Sequence, residues 1–193
     1  PAVKVSIQAV ILQMAAEKAF GPGNHTRLDH LTVSMSHPDG MAAMLSGQSE
    51  ITAHFSSAPF QYQQLADPRV RRVLNSYDVL GGPHTFNSVW AMGRYRSRNP
   101  QIMAAFIAAL DRAMGMIKDD PEGMAELWIA DQRSRLAKDE VVKIIRDPEN
   151  RWTTTPQKIM AFAEFMHRNG GIRAMPERWQ DVYVEDIAHL PGS

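Results

Sequence analysis

The chain has 193 residues, with 21 Lys and Arg balancing 21 Asp and Glu, 44% hydrophobic residues and no cysteine. This apolar fraction without a charge excess excludes a largely disordered chain and a dedicated nucleic-acid binder. The lack of cysteine removes disulfides, thiol nucleophiles, Cys-ligated zinc and iron–sulfur clusters, and no apolar run reaches the ~20 residues that a membrane-spanning helix needs.

The first part of the chain reads as strands alternating with helices. Residues 3–5 form a short strand that passes into a helix from about Ile7 to Phe20, with Ile7, Val10, Ile11 and Met14 on one face. Gly21-Pro22-Gly23 stops that helix. Residues 31–35 form a second strand. Pro38 opens the next helix, with Asp39 in its first turn and Gly47 at its end. Residues 51–55 are a third strand, Pro59 opens a helix running to about Leu65, and residues 70–74 are a fourth strand. Strands joined through helices pair in parallel with right-handed crossovers, so this part is expected to be an open α/β sheet. Arg69, Arg71 and Arg72 form a short basic cluster without interleaved aromatics. It reads as a solvated edge rather than a phosphate-binding surface.

Gly81-Gly82-Pro83 is a strong breaker and marks a connector. Charge is sparse before it and dense beyond it. The second part is mostly helical, with one strand at residues 88–92. Asn99-Pro100 caps and opens an amphipathic helix carrying Ile102, Met103, Phe106, Ile107, Leu110, Met114 and Ile117. Asp120-Pro121 starts another, residues 138–146 form a third, and Pro156 begins a fourth that Asn169-Gly170 ends.

In an open parallel sheet, ligands bind beyond the carboxyl ends of the strands. The strand-to-helix junctions are Ser6-Ile7-Gln8, Ser36-His37-Pro38 and His54-Phe55-Ser56-Ser57. Helix starts offer unpaired N–H groups to anions. Ser6, Ser36 and Ser57 read either as simple caps or, taken together, as one rim of a crevice. Phe55, Phe60 and Phe86 stand where an aromatic wall would be placed, with core packing the other reading of Phe60. The seven histidines show no i, i+4 ligand pair and no HExxH motif. A metal centre would need distant segments, such as those of His37 and His54. Hydrogen bonding or ligand contact is the expected role of those rings, and no metal or cofactor is expected. No G-x-S-x-G elbow, Walker loop or G-x-G-x-x-G occurs, and no spacing arranges a catalytic triad.

The stretches Pro1-Ala-Val-Lys-Val-Ser-Ile-Gln-Ala, Ser36-His-Pro-Asp-Gly-Met-Ala-Ala-Met-Leu-Ser-Gly, His54-Phe-Ser-Ser-Ala-Pro-Phe-Gln-Tyr-Gln and Ser76-Tyr-Asp-Val-Leu-Gly-Gly-Pro-His-Thr-Phe-Asn resemble substrate-binding proteins of ABC importers. The branch is the nitrate/sulfonate/taurine type. The resemblance implies a type II periplasmic binding protein-like α/β fold: one near-complete open α/β lobe plus the helical returning part of the other lobe. Residues 1–80 would be the second lobe, 81–87 a hinge connector and 88–193 the return to the first lobe. The first half-lobe and an export signal would precede this sequence. The resemblance implies capture of a small anionic or aromatic ligand between lobes and delivery to a membrane ABC permease, outside the cytoplasm and without catalysis. By position, Ser6, Gln8, Ser36, His37, His54, Phe55, Phe86 and Asn87 would line the cleft. A thiamin-pyrimidine-synthase-like enzyme of similar fold is the first alternative, and the absent cysteine removes its main feature. A regulator's ligand-sensing domain is the second, and it would need an attached DNA-binding segment.

Overall fold

The computed structural model of the chain describes residues 6–193. Every regular element among them is helical and none is a strand. The expected α/β sheet, and with it the binding-protein-like lobe, is therefore overturned. Residues 32–35, 51–55, 70–74 and 88–92 are irregular segments without a ladder, and Leu31 closes a 3₁₀ turn instead of opening a strand. The strand expected at residues 3–5 lies outside the described residues. The reason is physical. β-branched residues favour extended dihedrals, but a strand exists only when a second segment supplies its hydrogen bonds. No such partner is present among the described residues, and several apolar side chains there stand exposed, Trp90 at 84% and Val73 at 75%.

The helices follow local signals closely. Helix α1 is Ile7–Phe20, with the Ser6 hydroxyl accepting from Ala9 N at 3.3 Å. Helix α2 is His37–Ser46, capped by Ser36 and ended by left-handed Gly47. Helix α3 is Phe60–Leu65, α4 is Ser76–Leu80, α5 is Gly93–Arg98 and α6 is Pro100–Asp119. Helix α7 is Pro121–Gln132, α8 is Lys138–Arg146 and α9 is Ile159–Arg168. Of these, α4 and α5 were not anticipated, and α9 begins three residues later than Pro156 because Lys158 adopts a left-handed conformation just before it.

The chain forms two compact units. The first runs through Phe86 and takes up Lys158–Arg178; the second comprises Asn87–Gln157 and Trp179–Ser193. In the first unit, Ile11, Val79 and Leu80 are buried together. Ile7, Met14, Phe55, Ala161 and Phe162 pack around them. Helix α1 is the spine of this unit, touching α4, α9 and the 3₁₀ turn at His25–Leu31. Gln13 donates to Asp29 at 2.9 Å, and Arg168 of α9 pairs with Glu17 of α1 at 2.9 Å. That guanidinium holds the Glu17 carboxyl below its usual range.

In the second unit, Ala125, Val141 and Val142 are buried between α7 and α8, surrounded by Trp128, Ile129, Leu136 and Ile145. Lys138–Glu126 and Arg146–Glu122, each at 2.6 Å, link the two helices at the surface. Trp179 is buried against Gly192. No helix among the described residues is long and apolar enough to cross a membrane.

Candidate functional site

Three segments of the first unit meet at a pair of histidines. Ser36 starts α2, which sets His37 in its first turn. The irregular segment after residue 50 carries His54 and Ser57, and α3 carries Phe60 and Gln64. His37 Nδ1 lies 3.2 Å from His54 Nε2. Ser57 Oγ lies 3.2 Å from His37 Nε2, and Gln64 Nε2 lies 2.9 Å from His54 Nδ1. Phe60 stacks on His37 with ring centroids 5.7 Å apart.

The chemistry of the groups fixes the direction of this chain. An amide NH₂ can only donate, so His54 Nδ1 accepts from Gln64. The same amide nitrogen faces Met44 Sδ at 4.0 Å, a weak acceptor that also calls for the NH₂ end. A neutral His54 then carries its hydrogen on Nε2 and donates to His37 Nδ1, and His37 donates from Nε2 to Ser57 Oγ. The Ser57 hydroxyl hydrogen finds no acceptor among the described residues. The run is thus a polarised chain whose open end is an O–H donor. Next to it, Ser56 Oγ is buried without a partner among the described residues.

Burial pushes both rings toward the neutral form. His37 and His54 both lie below the ordinary histidine value, chiefly by desolvation, and for His54 repulsion from His37 adds to it. Gln64, 3% exposed, closes the inner end of the chain. The two rings are tilted by 50° to each other, with centroids 5.2 Å apart. Their facing nitrogens, 3.2 Å apart, share one proton. No group of three or more His, Asp or Glu among the described residues is placed to hold a metal.

Of the eight residues expected at the site, His37 and His54 are in direct contact and Ser36 adjoins them. Ser36 caps α2, with its hydroxyl 2.6 Å from Asp39 Oδ2. Phe55 turns the other way, into the core around Ile11. Ser6 caps α1, and Gln8 is half-buried on the first turn of that helix. Neither Ser6 nor Gln8 is hydrogen-bonded to the histidine pair. Phe86 is 44% exposed, and Asn87, also exposed, begins the second unit. Sequence reading passed over Gln64, which carries no signal: a glutamine on a short helix reads as surface. It gave Ser57 two readings, a simple cap or part of a crevice rim, without pairing it with His37.

A second Ser–His contact lies in the same unit. His84 Nδ1 is 3.0 Å from the Thr85 carbonyl, and His84 Nε2 is 2.9 Å from Ser76 Oγ. The second unit carries an open depression of about 720 Å³ lined in part by Lys118, Arg146, Arg151 and Trp152. Asp119, Glu122 and Asp147 balance its three cations, so the depression holds no net charge for an anion. It contains none of the expected site residues. Compared with known proteins, the chain matches no family model, no curated protein and no solved structure.

Proposed function

We propose that the chain is the solute-capturing component of an importer, and that the polar run from Gln64 to Ser57 is where its ligand is held. The ligand is a small anionic or aromatic molecule with an oxygen acceptor for the Ser57 hydroxyl and, where aromatic, a flat face for Phe60. The released ligand passes to an ABC permease in the membrane, and the protein works outside the cytoplasm without turnover. One observation supports this reading above the others: His37 and His54, 3.2 Å apart, bring two segments of the importer-like sequence into one polar cluster with a free donor at its end. A small number of placed polar groups against an aromatic wall is the usual composition of a ligand site.

The test is thermal shift and isothermal titration with nitrate, ethanesulfonate, bicarbonate and benzoate. A ligand at about 100 times its dissociation constant stabilises the fold by ~2.7 kcal/mol. The expected result is a shift with at least one of these compounds that Ser57→Ala and His37→Ala remove. No shift with any of them, or a shift that both variants retain, overturns the reading.

A further inference from the structure

The two Ser–His contacts of the first unit have opposite polarity, and this separates what they can do. At Ser57 the histidine nitrogen carries the hydrogen, so the serine oxygen accepts and is not activated. At Ser76 the order is reversed. A carbonyl oxygen can only accept, so His84 Nδ1 must donate to Thr85 at 3.0 Å. The neutral ring then has its lone pair on Nε2, and the Ser76 hydroxyl donates to it at 2.9 Å. The lone pairs of Ser76 Oγ accept no hydrogen bond among the described residues, and Ser76 is only half-buried.

We infer that Ser76 is an acylatable serine with His84 as its general base, reactive toward activated carboxylic esters. A nucleophile within hydrogen-bond reach of a base, with that base oriented by a third group, is the arrangement nucleophilic catalysis requires. The fold holds the pair from several sides. Gly81 and Gly82, with φ of 71° and 140°, turn the chain back after α4 so that His84 returns to the start of the helix. Edge-on contacts from Phe162 at 5.5 Å and Tyr77 at 5.6 Å fix the plane of the imidazole. Among the described residues no charged side chain is bonded to the ring, and burial holds it below the ordinary histidine value, which favours the neutral form with its lone pair available.

In the reaction Ser76 Oγ attacks the ester carbonyl while its proton moves to His84 Nε2. The bond from the carbonyl carbon to the leaving oxygen then breaks, the leaving group departs with the proton from His84, and acyl-Ser76 remains. The N–H of the following residue, Tyr77, is already bonded to Asn75 Oδ1 at 3.0 Å. A missing oxyanion donor costs roughly 10²–10³ in rate, so the expected outcome is slow, stoichiometric acylation and not turnover.

The experiment treats the full chain with p-nitrophenyl acetate and follows nitrophenolate release, intact mass and the labelled peptide. One acetyl group on Ser76 is expected, absent in Ser76→Ala and formed about 100-fold more slowly in His84→Gln, as loss of a general base dictates. In the wild-type protein the labelling rate should be flat at neutral pH and fall on the acid side, below the ordinary histidine value of about 6.5. Acetyl groups found only on other residues, an equal burst in Ser76→Ala, or a rate that keeps rising with hydroxide through the alkaline range would each overturn the inference. The pH profile needs no variant, so it decides the matter even where a substitution unfolds the chain.

Discussion

Gly40 lies directly against the ring of His54: a Cβ at residue 40 would stand 2.9 Å from His54 Nε2 and 3.2 Å from its neighbouring carbons. That nitrogen is the one bonded to His37. The absence of a side chain on α2 therefore makes room for the hydrogen bond at the centre of the site. Gly40→Ala sets two effects against each other. Alanine favours the interior of a helix by about 1 kcal/mol over glycine. The methyl group displaces the imidazole, which ends the His37–His54 contact. The expected result is unchanged or higher helix content by circular dichroism, with altered imidazole ¹⁵N shifts at both histidines and loss of ligand-induced stabilisation. Unaltered imidazole shifts would show that the ring does not rest on Gly40.

Acid should weaken the fold through His37, His54 and His84. All three lie below the ordinary histidine value in the folded state, each mainly because burial penalises the charged ring. Below about pH 6.5 the unfolded chain therefore binds more protons than the folded one. The stabilisation is complete above that pH and declines as pH falls through it. Urea denaturation is expected to show a midpoint that drops between about pH 7.5 and pH 5, by less in His54→Asn than in the wild-type protein. A midpoint constant over that window would contradict the neutral, hydrogen-bonded state of the rings.

Truncating Ile11 should be costly. Its side chain is 2% exposed and sits with Val79 and Leu80 at the centre of the first unit. Ile11→Ala removes buried methylene groups and leaves a cavity, which costs ~2–5 kcal/mol. Val73, on an irregular segment and largely exposed, provides the contrast. Val73→Ala should stay within about 0.5 kcal/mol of the wild-type stability. Chemical denaturation of both variants tests the pair; comparable losses would mean that the exposed segment is covered in solution.

Gly192 should resist enlargement. A Cβ there would lie 2.7 Å from the Trp179 ring and 2.9 Å from the Pro156 carbonyl oxygen. Neither neighbour is a flexible side-chain end, so Gly192→Ala forces the last residues to shift. Overpacking of this kind costs ~1–3 kcal/mol, and Trp179 fluorescence should move toward its solvent-exposed maximum. A variant with the wild-type emission and melting temperature would place the chain end away from Trp179.

The sequence by itself determined α1, α2, α3, α6, α7 and α8, but not α4, α5 or the start of α9. Ser6, Ser36, Pro100, Pro121 and Gly47 act within one turn of their own positions, through caps and backbone bonds that span three or four residues. It also marked His37 and His54 as residues of interest. Only the tertiary structure decided that the two rings meet across 17 positions, that Gln64 is buried behind them, and that the Ser57 and Ser76 hydroxyls face their histidines with opposite polarity. It decided against the sheet as well. Alternating apolar residues in 51–55 and the continuous apolar run of 89–92 set an extended preference locally, but pairing depends on a second segment arriving in register, and that information is not carried by either stretch alone.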